Sequence, residues 1–439
     1  MKNAIKEIRF LVHLLSAFWQ KQKKLIIVSG LVGIISFFCF PKIIRWLVIR
    51  QTQRIGIVGR FTTANLPLEI QHLLSDGLTC LAEDGSISPC LAASWEIGNE
   101  GREYIFTLKD NIFWQDGKPV KASEINYNFS DVAVEVINDK KIKFILKEPF
   151  SPFLVVVSKP VFKKGLLGTG KYKLNSIKRN GQIVEKLNLT PNLTYRFYPT
   201  ETAARTAFKL GEVDILSQIS SPGDLENWKR VKITSEVKYN RFVAIFINTQ
   251  NQKFTSKSVR QALAYAIKDR WEPKALNSIN PNSWAYNSAV KPYEFDLENA
   301  KTLLKKSVSE EESQALTEIE LSTVPSLMSV AEAIKSDLEQ LGIKTKIKII
   351  FSLDEEFETL LISQDIPPDP DQYNLWHSTQ ITNISRYKSP KIDKVLEDGR
   401  KTLDQEKRKE IYFDFQKFLI EDTPAIFLFH PTVYTLIRK

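Results

Sequence analysis

A stretch of 17 residues near the N-terminus, Leu25–Pro41, contains no charged side chain. A helix of this length measures roughly 26 Å at about 1.5 Å per residue, close to the ~30 Å hydrocarbon thickness of a bilayer. Apolar residues continue over 43–49, where Lys42 and Arg45 can extend their charges to the lipid surface. The run therefore predicts an uncleaved membrane anchor over residues 25–49. A cleaved signal peptide and a helix buried in a soluble domain are the alternatives.

Basic residues are concentrated around this run. Eleven of the 61 Lys and Arg residues lie in residues 1–60 beside one acidic residue, whereas residues 61–439 hold 50 of each sign. A nucleic-acid-binding protein carries its positive charge on the folded body, so we predict no nucleic-acid partner. Apolar residues recur at spacings of three and four over residues 4–20, which predicts an amphipathic basic segment, 1–24, lying on membrane lipid.

The rest of the chain alternates short strands and helices, which predicts an α/β fold. Residues 132–146 predict a hairpin whose two strands each have one apolar face. Asp296 is a good N-cap for one helix, and Gly342 is a natural end for another. Residues 343–349 alternate apolar residues with lysines, and residues 425–429 are apolar, so we predict a strand in each segment.

The sequence shows no arrangement of residues that supports catalysis. The four histidines form neither a zinc-helix pair nor an H-E-x-x-H motif, and the chain has no G-x-S-x-G motif. We therefore predict no enzyme activity, no metal and no cofactor. Residues 165–172 resemble a phosphate-binding loop, but Tyr172 stands where a Ser or Thr hydroxyl is needed. Cys80 and Cys90 are predicted to be buried free thiols, with a disulfide as the alternative.

The order of several motifs resembles a known family. The segments GLTCLAEDGSISPCLAASWEI and EYIFTLKDNIFWQDGKPVKASEINYNFS resemble the N-terminal signature of the family 5 extracellular solute-binding proteins. These are the oligopeptide, dipeptide and nickel receptors of ABC importers. Later elements resemble the same family in consistent order: GTGKYKL, ARTAFKLGEVDIL, SVRQALAYAIKDR, FDLENAKTLL, LEQLGIKTKIK, PPDPDQYNLWHS and IEDTPAIFLFHP. The resemblance runs from about Arg54 to the C-terminus.

The resemblance implies a two-lobed fold like that of class II periplasmic binding proteins, in which the lobes close on a ligand about a hinge. We expect lobe I to comprise residues 55–250 and 425–439, and lobe II residues 251–424. Only Asp131 separates the NYNFS segment from the following hairpin, so we expect a reduced accessory subdomain in lobe I. The resemblance also implies that the two-lobed binding part lies outside the cytoplasmic membrane of a bacterium, with the N-terminal basic segment in the cytoplasm. The chain stops soon after the return strand, which implies a shortened lobe I or a fragment.

Candidate ligand contacts follow from the same resemblance. In PPDPDQYNLWHS, Asp371 and secondly Asp369 match the acidic stretch that binds the ligand's α-amino group in peptide-binding relatives. Capping of a local turn by Asp-Pro-Asp is the alternative. The further candidates are Trp376 and Tyr373 as pocket walls, Phe61 and Thr62 after the first strand, Trp284 and Tyr286 near the cleft, Arg386 for a carboxylate, and Asn248. The alternatives are burial in the lobe II core for Trp376, a solvated loop position for Arg386 and hinge stabilisation for Asn248.

These expectations describe a membrane-anchored receptor that delivers peptides to the permease subunits of an ABC importer, without catalysis. Binding of another solute, such as a nickel chelate or a sugar, is the first alternative, because one fold serves several ligands. An extracytoplasmic enzyme or a sensor on the same fold is the second.

Overall fold

The computed structural model describes residues 52–307, 317–352 and 355–439, together with eight helical positions between 19 and 37. The predicted basic segment and membrane anchor lie outside the described residues, apart from those positions. Among the residues described, no helix is both long enough and apolar enough to span a membrane.

The described chain alternates strands and helices, as the pattern predicts. The strands are β1 (Gln53–Val58), β2 (Thr79–Leu81), β3 (Ile87–Pro89), β4 (Ala92–Gly98), β5 (Glu103–Leu108), β6 (Ala133–Asn138), β7 (Lys141–Ile145), β8 (Lys173–Asn180), β9 (Ile183–Thr190), β10 (Leu193–Tyr198), β11 (Ile215–Ile219), β12 (Val231–Val237), β13 (Arg241–Ile247), β14 (Glu318–Thr323), β15 (Lys344–Ile349), β16 (Thr359–Asp365), β17 (Ala425–Phe429) and β18 (Thr432–Arg438). The helices are α1 (Leu68–Leu74), α2 (Phe153–Val156), α3 (Glu201–Lys209), α4 (Lys257–Ala266), α5 (Leu297–Ser307), α6 (Met328–Gln340), α7 (Tyr373–Trp376), α8 (Pro390–Lys401) and α9 (Gln405–Asp422).

Lobe I is built on a seven-stranded sheet in the order β12-β18-β11-β1-β10-β9-β8. β1 pairs in parallel with β10 on one side and with β11 on the other. α3 connects β10 to β11, so these elements form a β-α-β unit that passes over β1. One face of the sheet packs against α1 through Leu74, and the other packs against α3 through Phe208.

The accessory subdomain of lobe I is a four-stranded antiparallel sheet in the order β4-β5-β7-β6. Its β6 and β7 confirm the predicted hairpin, and Ile142 and Phe144 on β7 are fully buried. The valines of β6 were expected to face a core as well, but Val134 and Val136 are exposed. β6 is the edge strand of this small sheet, so its apolar face extends beyond the packed interior.

Cys80 and Cys90 form a disulfide, so the prediction of two free thiols is wrong. Cys80 lies on β2, and Cys90 directly follows β3, its antiparallel partner. This pairing brings the two Cα atoms to 5.2 Å, within the range that a disulfide requires. A spacing of ten residues does not itself reveal such a hairpin.

Lobe II is built on a five-stranded sheet in the order β15-β14-β16-β13-β17. β14 runs parallel to β15 and β16, whereas β13 runs antiparallel to β16 and β17. Helices α4 to α6 cover one face, and α8 and α9 cover the other. The predicted helix ends are confirmed, since Asp296 Oδ1 accepts a bond from Asn299 N at 2.9 Å and α6 ends two residues before Gly342.

Two strands expected in lobe I pair in the other sheet. β13 and β17 lie within the residues expected for lobe I, 55–250 and 425–439, but they pair with each other in the five-stranded sheet. Of the predicted return segment, 425–439, only β18 joins the lobe I sheet, between β11 and β12. A continuous apolar strand fits the interior of either sheet, so its pattern does not assign it to one lobe.

Candidate ligand cleft between the lobes

The chain passes between the two sheets at two neighbouring places, residues 238–240 and residues 430–431. Lys238 N donates a hydrogen bond to Pro431 O over 2.9 Å, which ties the two crossings together. Short, adjacent connections of this kind let one lobe rotate against the other. They identify the hinge.

His430 lies inside the hinge, a position that the sequence alone did not reveal. It is 1% exposed, its Nδ1 lies 2.8 Å from Arg241 O, and its ring contacts that of Tyr239. Burial lowers the pKa of the imidazole below its ordinary value of 6.5, although the bond to Arg241 O opposes the shift. The folded protein therefore favours the neutral ring.

We expect hinge stability to depend on pH through His430. Because the unfolded chain binds a proton more readily than the folded one, this stability is present above pH about 6.5 and decreases as the pH falls below that value. In urea unfolding, His430→Gln should lose less stability than wild type between pH about 7 and about 5. Burial also lowers the pKa of His72, away from the hinge, so His72→Gln should reduce the slope separately and the double variant should show the sum of the two reductions. Equal pH slopes for wild type and His430→Gln would contradict this role.

The carboxyl ends of the parallel strands in both sheets lie at the edges beside the hinge. In lobe I, Ile219 at the end of β11 pairs with Tyr434 near the start of β18. In lobe II, Asp365 at the end of β16 pairs with Arg241 at the start of β13. Ligands of open α/β sheets bind outside the carboxyl ends of the strands. The cleft between these two edges is therefore the candidate ligand site.

Phe61 and Thr62, the predicted contacts from lobe I, follow the end of β1 and lie at the cleft edge. The Phe61 ring packs against that of Phe197, with centroids 5.2 Å apart. Thr62 Oγ1 donates to Asn65 Oδ1 over 3.0 Å, which holds the turn after the strand. Both side chains are half-buried, so they remain partly accessible from the cleft.

Asp371 has its charge balanced by an arginine. Arg400 Nε and Nη2 lie 3.0 and 2.9 Å from Asp371 Oδ2. Burial raises the pKa of Asp371, and the attraction of Arg400 opposes that rise. The Arg400 guanidinium also lies 4.0 Å from the ring centre of Tyr373. A ligand ammonium group would therefore share this carboxylate with Arg400, and the ligand role of Asp371 stays a prediction.

Asp369 forms a buried ion pair with Arg408. The two residues are 8% and 6% exposed, and both guanidinium Nη atoms donate to the carboxylate. Burial lowers the pKa of Arg408, but the attraction of Asp369 outweighs this effect and the pKa is raised overall. Asp369 Oδ1 also accepts a bond from Asp371 N at 2.8 Å, as the turn-capping alternative predicts. This carboxylate is thus occupied by protein partners.

Sequence reasoning missed Arg400 and Arg408, which lie on α8 and α9, outside the motif that contains the two aspartates. Arg400 also connects the lobes through its backbone, because Ser151 N and Oγ donate to Arg400 O at 2.8 and 3.0 Å. Its guanidinium lies 5.2 Å from the ring centre of Phe150. The accessory subdomain therefore contacts lobe II beside Asp371.

Trp376 lies in the core of lobe II and not in a pocket wall. It is 1% exposed, and its ring stacks against Phe246 on β13 with centroids 5.9 Å apart. The short helix α7 turns this side chain towards the sheet. Tyr373, at the other end of α7, stays half-buried beside Arg400 and stacks on His377. The burial of Trp376 matches its alternative position in the lobe II core, whereas Tyr373 remains a candidate for the pocket wall.

Trp284 lies where the accessory subdomain meets lobe II. Its backbone N donates to Asp84 O over 3.3 Å, and the Arg408 guanidinium lies 5.7 Å from its ring centre. Tyr286 is half-buried against the core of lobe II, and burial raises the pKa of its hydroxyl. Of this predicted pair, Trp284 is the residue placed between the lobes.

Asn248 and Arg386 lie at the opposite edge of the lobe II sheet, away from the cleft and the hinge. Asn248 follows β13, whose first residue is at the hinge, and the seven residues of this strand span about 20 Å. Asn248 Nδ2 donates to Phe357 O over 3.2 Å. Asn248 and Arg386 both line a cavity at this far edge of the sheet. The structure therefore places both residues away from the cleft and the hinge, a position that the sequence pattern did not reveal because it does not give the direction of β13.

Comparison with known proteins identifies the fold and the family. Residues 86–383 match the family model of the bacterial extracellular solute-binding proteins, family 5, middle region. The chain belongs to this family. Family 5 solute-binding proteins are binding proteins and not enzymes, so the protein binds its solute without transforming it.

Family 5 relatives with assigned ligands cover most of the chain. The dipeptide-binding protein of Escherichia coli (strain K12) is 23% identical, over 80% of this chain and 82% of the relative. The oligopeptide-binding protein AppA of Bacillus subtilis (strain 168) is 21% identical, over 84% and 83%. The nickel-binding periplasmic protein of Escherichia coli (strain K12) is 25% identical, over 62% and 65%.

Solved family 5 structures share the fold. NikZ from Campylobacter jejuni in complex with Ni(L-His) superposes with a TM-score of 0.74 at 23% identity, covering 89% of this chain and 94% of that one. AppA from Bacillus subtilis in complex with a nonapeptide superposes with a TM-score of 0.69 at 20% identity, covering 88% and 95%. The predicted α/β fold of the class II periplasmic binding proteins is confirmed.

Proposed function

We propose that this protein is a membrane-anchored, extracytoplasmic receptor of a bacterial ABC importer, and that it binds short peptides by closure of its two lobes. The observation that carries the proposal is the pair of neighbouring crossings at residues 238–240 and 430–431, because they allow the two sheets to move about one axis. Residues 25–49 would anchor the receptor in the cytoplasmic membrane, and the permease subunits would receive the ligand.

Peptides are the proposed ligands for two reasons. Several family 5 relatives that cover about four fifths of the chain are named as dipeptide, tripeptide or oligopeptide binders. The cleft also presents backbone at strand ends together with charged and aromatic side chains, which suits recognition of a peptide main chain. The proposed contacts are Phe61 and Thr62 from lobe I, with Asp371, Tyr373 and Trp284 on the opposite side.

A nickel chelate is the less supported ligand, although some relatives bind nickel. In the described part of the chain, His377 Nδ1 lies 2.9 Å from Thr379 Oγ1, and His430 Nδ1 is bonded in the hinge. Both imidazoles are buried with protein partners. Neither is presented to the cleft as a free ligand atom.

Calorimetric titration of the full-length chain in detergent tests this proposal. The titrants are a panel of di-, tri- and pentapeptides, their N-acetylated forms and nickel-histidine. We expect free peptides to bind, and acetylation to weaken binding by at least about tenfold because it removes the ammonium charge. Asp371→Asn should abolish the difference between free and acetylated peptides, whereas Asp414→Asn, on the exposed side of α9, should preserve it. Binding of nickel-histidine without any peptide would refute the peptide assignment.

A further inference from the structure

A cavity of about 570 Å³ lies at the carboxyl ends of β1 and β10 in lobe I. Its walls include Gly59 and Arg60, which follow β1, and Tyr198 at the end of β10. Val184 N, near the start of β9, donates to Phe61 O over 2.8 Å, so β9 forms the adjacent wall. We call this space the Arg60 cavity. It adjoins the edge of lobe I that borders the cleft.

Three cations form a row across neighbouring strands in the wall of the Arg60 cavity. Lys186 on β9 is paired in register with Lys178 on β8 and with Arg196 on β10. Like charges directly opposite one another on adjacent strands destabilise a sheet. Lysines often protect exposed sheet edges, but β9 and β10 are interior strands and need no such protection. The arrangement therefore favours an anionic partner.

Two cations of the cavity have no acidic partner among the residues that the structure describes. The outer members of the row are neutralised by Glu185 and Glu212, at 2.8 and 2.5 Å. Within the ranges that the structure describes, no carboxylate oxygen lies within 4.0 Å of the side-chain nitrogens of Arg60 or Lys186. The cavity therefore has two uncompensated positive charges beside the cleft.

We propose that the Arg60 cavity binds a carboxylate group, and that in the peptide receptor proposed above this group belongs to the ligand. A guanidinium can donate two parallel hydrogen bonds to a carboxylate, and the Lys186 ammonium adds a second positive charge. The volume of the cavity is that of a small-molecule site, so it admits the carbon chain that carries the carboxylate. A ligand with its amine at Asp371 and its carboxylate at Arg60 would join the two lobes and favour the closed state.

Thermal unfolding of the full-length chain in detergent tests the anion site without a peptide. The probes are succinate and its neutral diamide, succinamide, titrated at constant ionic strength. Succinate should raise the Tm of wild type, and succinamide should leave it unchanged, because only the bound anion stabilises the folded state. The double variant R60A/K186A should lose the succinate response.

The matched control is R179A/K232A, which removes one arginine and one lysine that are exposed and lie outside the cavity. It should respond to succinate as wild type does. No succinate response in wild type, an equal response in R60A/K186A, or a loss of response in the control would each overturn the site.

A second titration separates this inference from the proposed function. Each peptide that binds wild type is compared with its C-terminal amide. We expect amidation to weaken binding by at least about tenfold in wild type, and by less than about twofold in R60A/K186A. Equal affinity of acid and amide for wild type refutes the ligand carboxylate while the receptor proposal stands. Binding of no peptide, with the succinate response intact, refutes the peptide receptor and leaves the carboxylate site.

Discussion

Replacing Arg408 with methionine is expected to lower the free energy of unfolding by about 3–5 kcal/mol, because it leaves the Asp369 carboxylate buried without its counter-charge. Both residues are more than nine-tenths buried, and the guanidinium makes two bonds to the carboxylate. Arg408 Nε also donates to Gly399 O over 2.9 Å, so the substitution removes a partner of a buried carbonyl as well.

Chemical denaturation monitored by tryptophan fluorescence measures this effect. Lys394→Met is the matched control, because it breaks an ion pair with Asp398 on the exposed side of α8, and it should leave stability almost unchanged. Adding Asp369→Asn to Arg408→Met should recover part of the loss, since it removes the unpaired charge. If Arg408→Met unfolds at the same denaturant concentration as Lys394→Met, the pair does not stabilise lobe II.

The sequence contains a signal for this ion pair that motif comparison does not use. Arg408 shares one helical face with Tyr412, Phe415 and Leu419, and all of these residues are buried in α9. A cation on an apolar face requires a buried acceptor, which restricts its partner to an acidic residue packed against that face. Asp369 is 39 residues away in the sequence, so only the tertiary fold identifies it.

Local elements were predictable where the deciding interactions are local. The hairpin at 132–146, the cap at Asp296 and the helix end at Gly342 all depend on residues within one or two turns of chain. The order of family motifs predicted the fold. The sequence did not predict which sheet β13 and β17 join, or that Asn248 lies far from the cleft. Both depend on pairing partners and strand direction, which are set by distant segments.

The candidate site was predictable at the level of segments and less so at the level of side chains. Phe61 follows β1 in lobe I, Asp371 and Tyr373 lie beside Arg400 in lobe II, and their ligand contacts stay predictions. Trp376, in the same motif, is buried in the core of lobe II, where its ring stacks against Phe246. The Arg60 cavity contains residues from four separate strands or their ends, so no single motif marks it.

The GTG element also shows how a motif can be recognised before its physical reason is known. Tyr172 stands where a phosphate-binding loop needs a hydroxyl, and the structure gives the glycines a packing role. Gly170 N donates to Leu74 O over 2.9 Å at the end of α1. A Cβ atom on Gly168 would lie 2.1 Å from Leu74 O and 2.5 Å from Ser75 Cβ. The element is therefore bonded to α1 at a distance that excludes a side chain.

Gly168→Ala is accordingly expected to lower the free energy of unfolding by about 3 kcal/mol or more, because backbone must move to admit the methyl group. The same movement strains the junction between lobe I and the accessory subdomain, where Gln115 Nε2 donates to Leu74 O and Gly170 O, each over 3.0 Å. Gly98→Ala is the control, since its Cβ would meet nothing closer than 3.7 Å, and it should change stability by less than about 1 kcal/mol. Urea unfolding of both variants measures the two changes in the free energy of unfolding. Equal stability of the two variants would mean that close packing does not require a glycine at position 168.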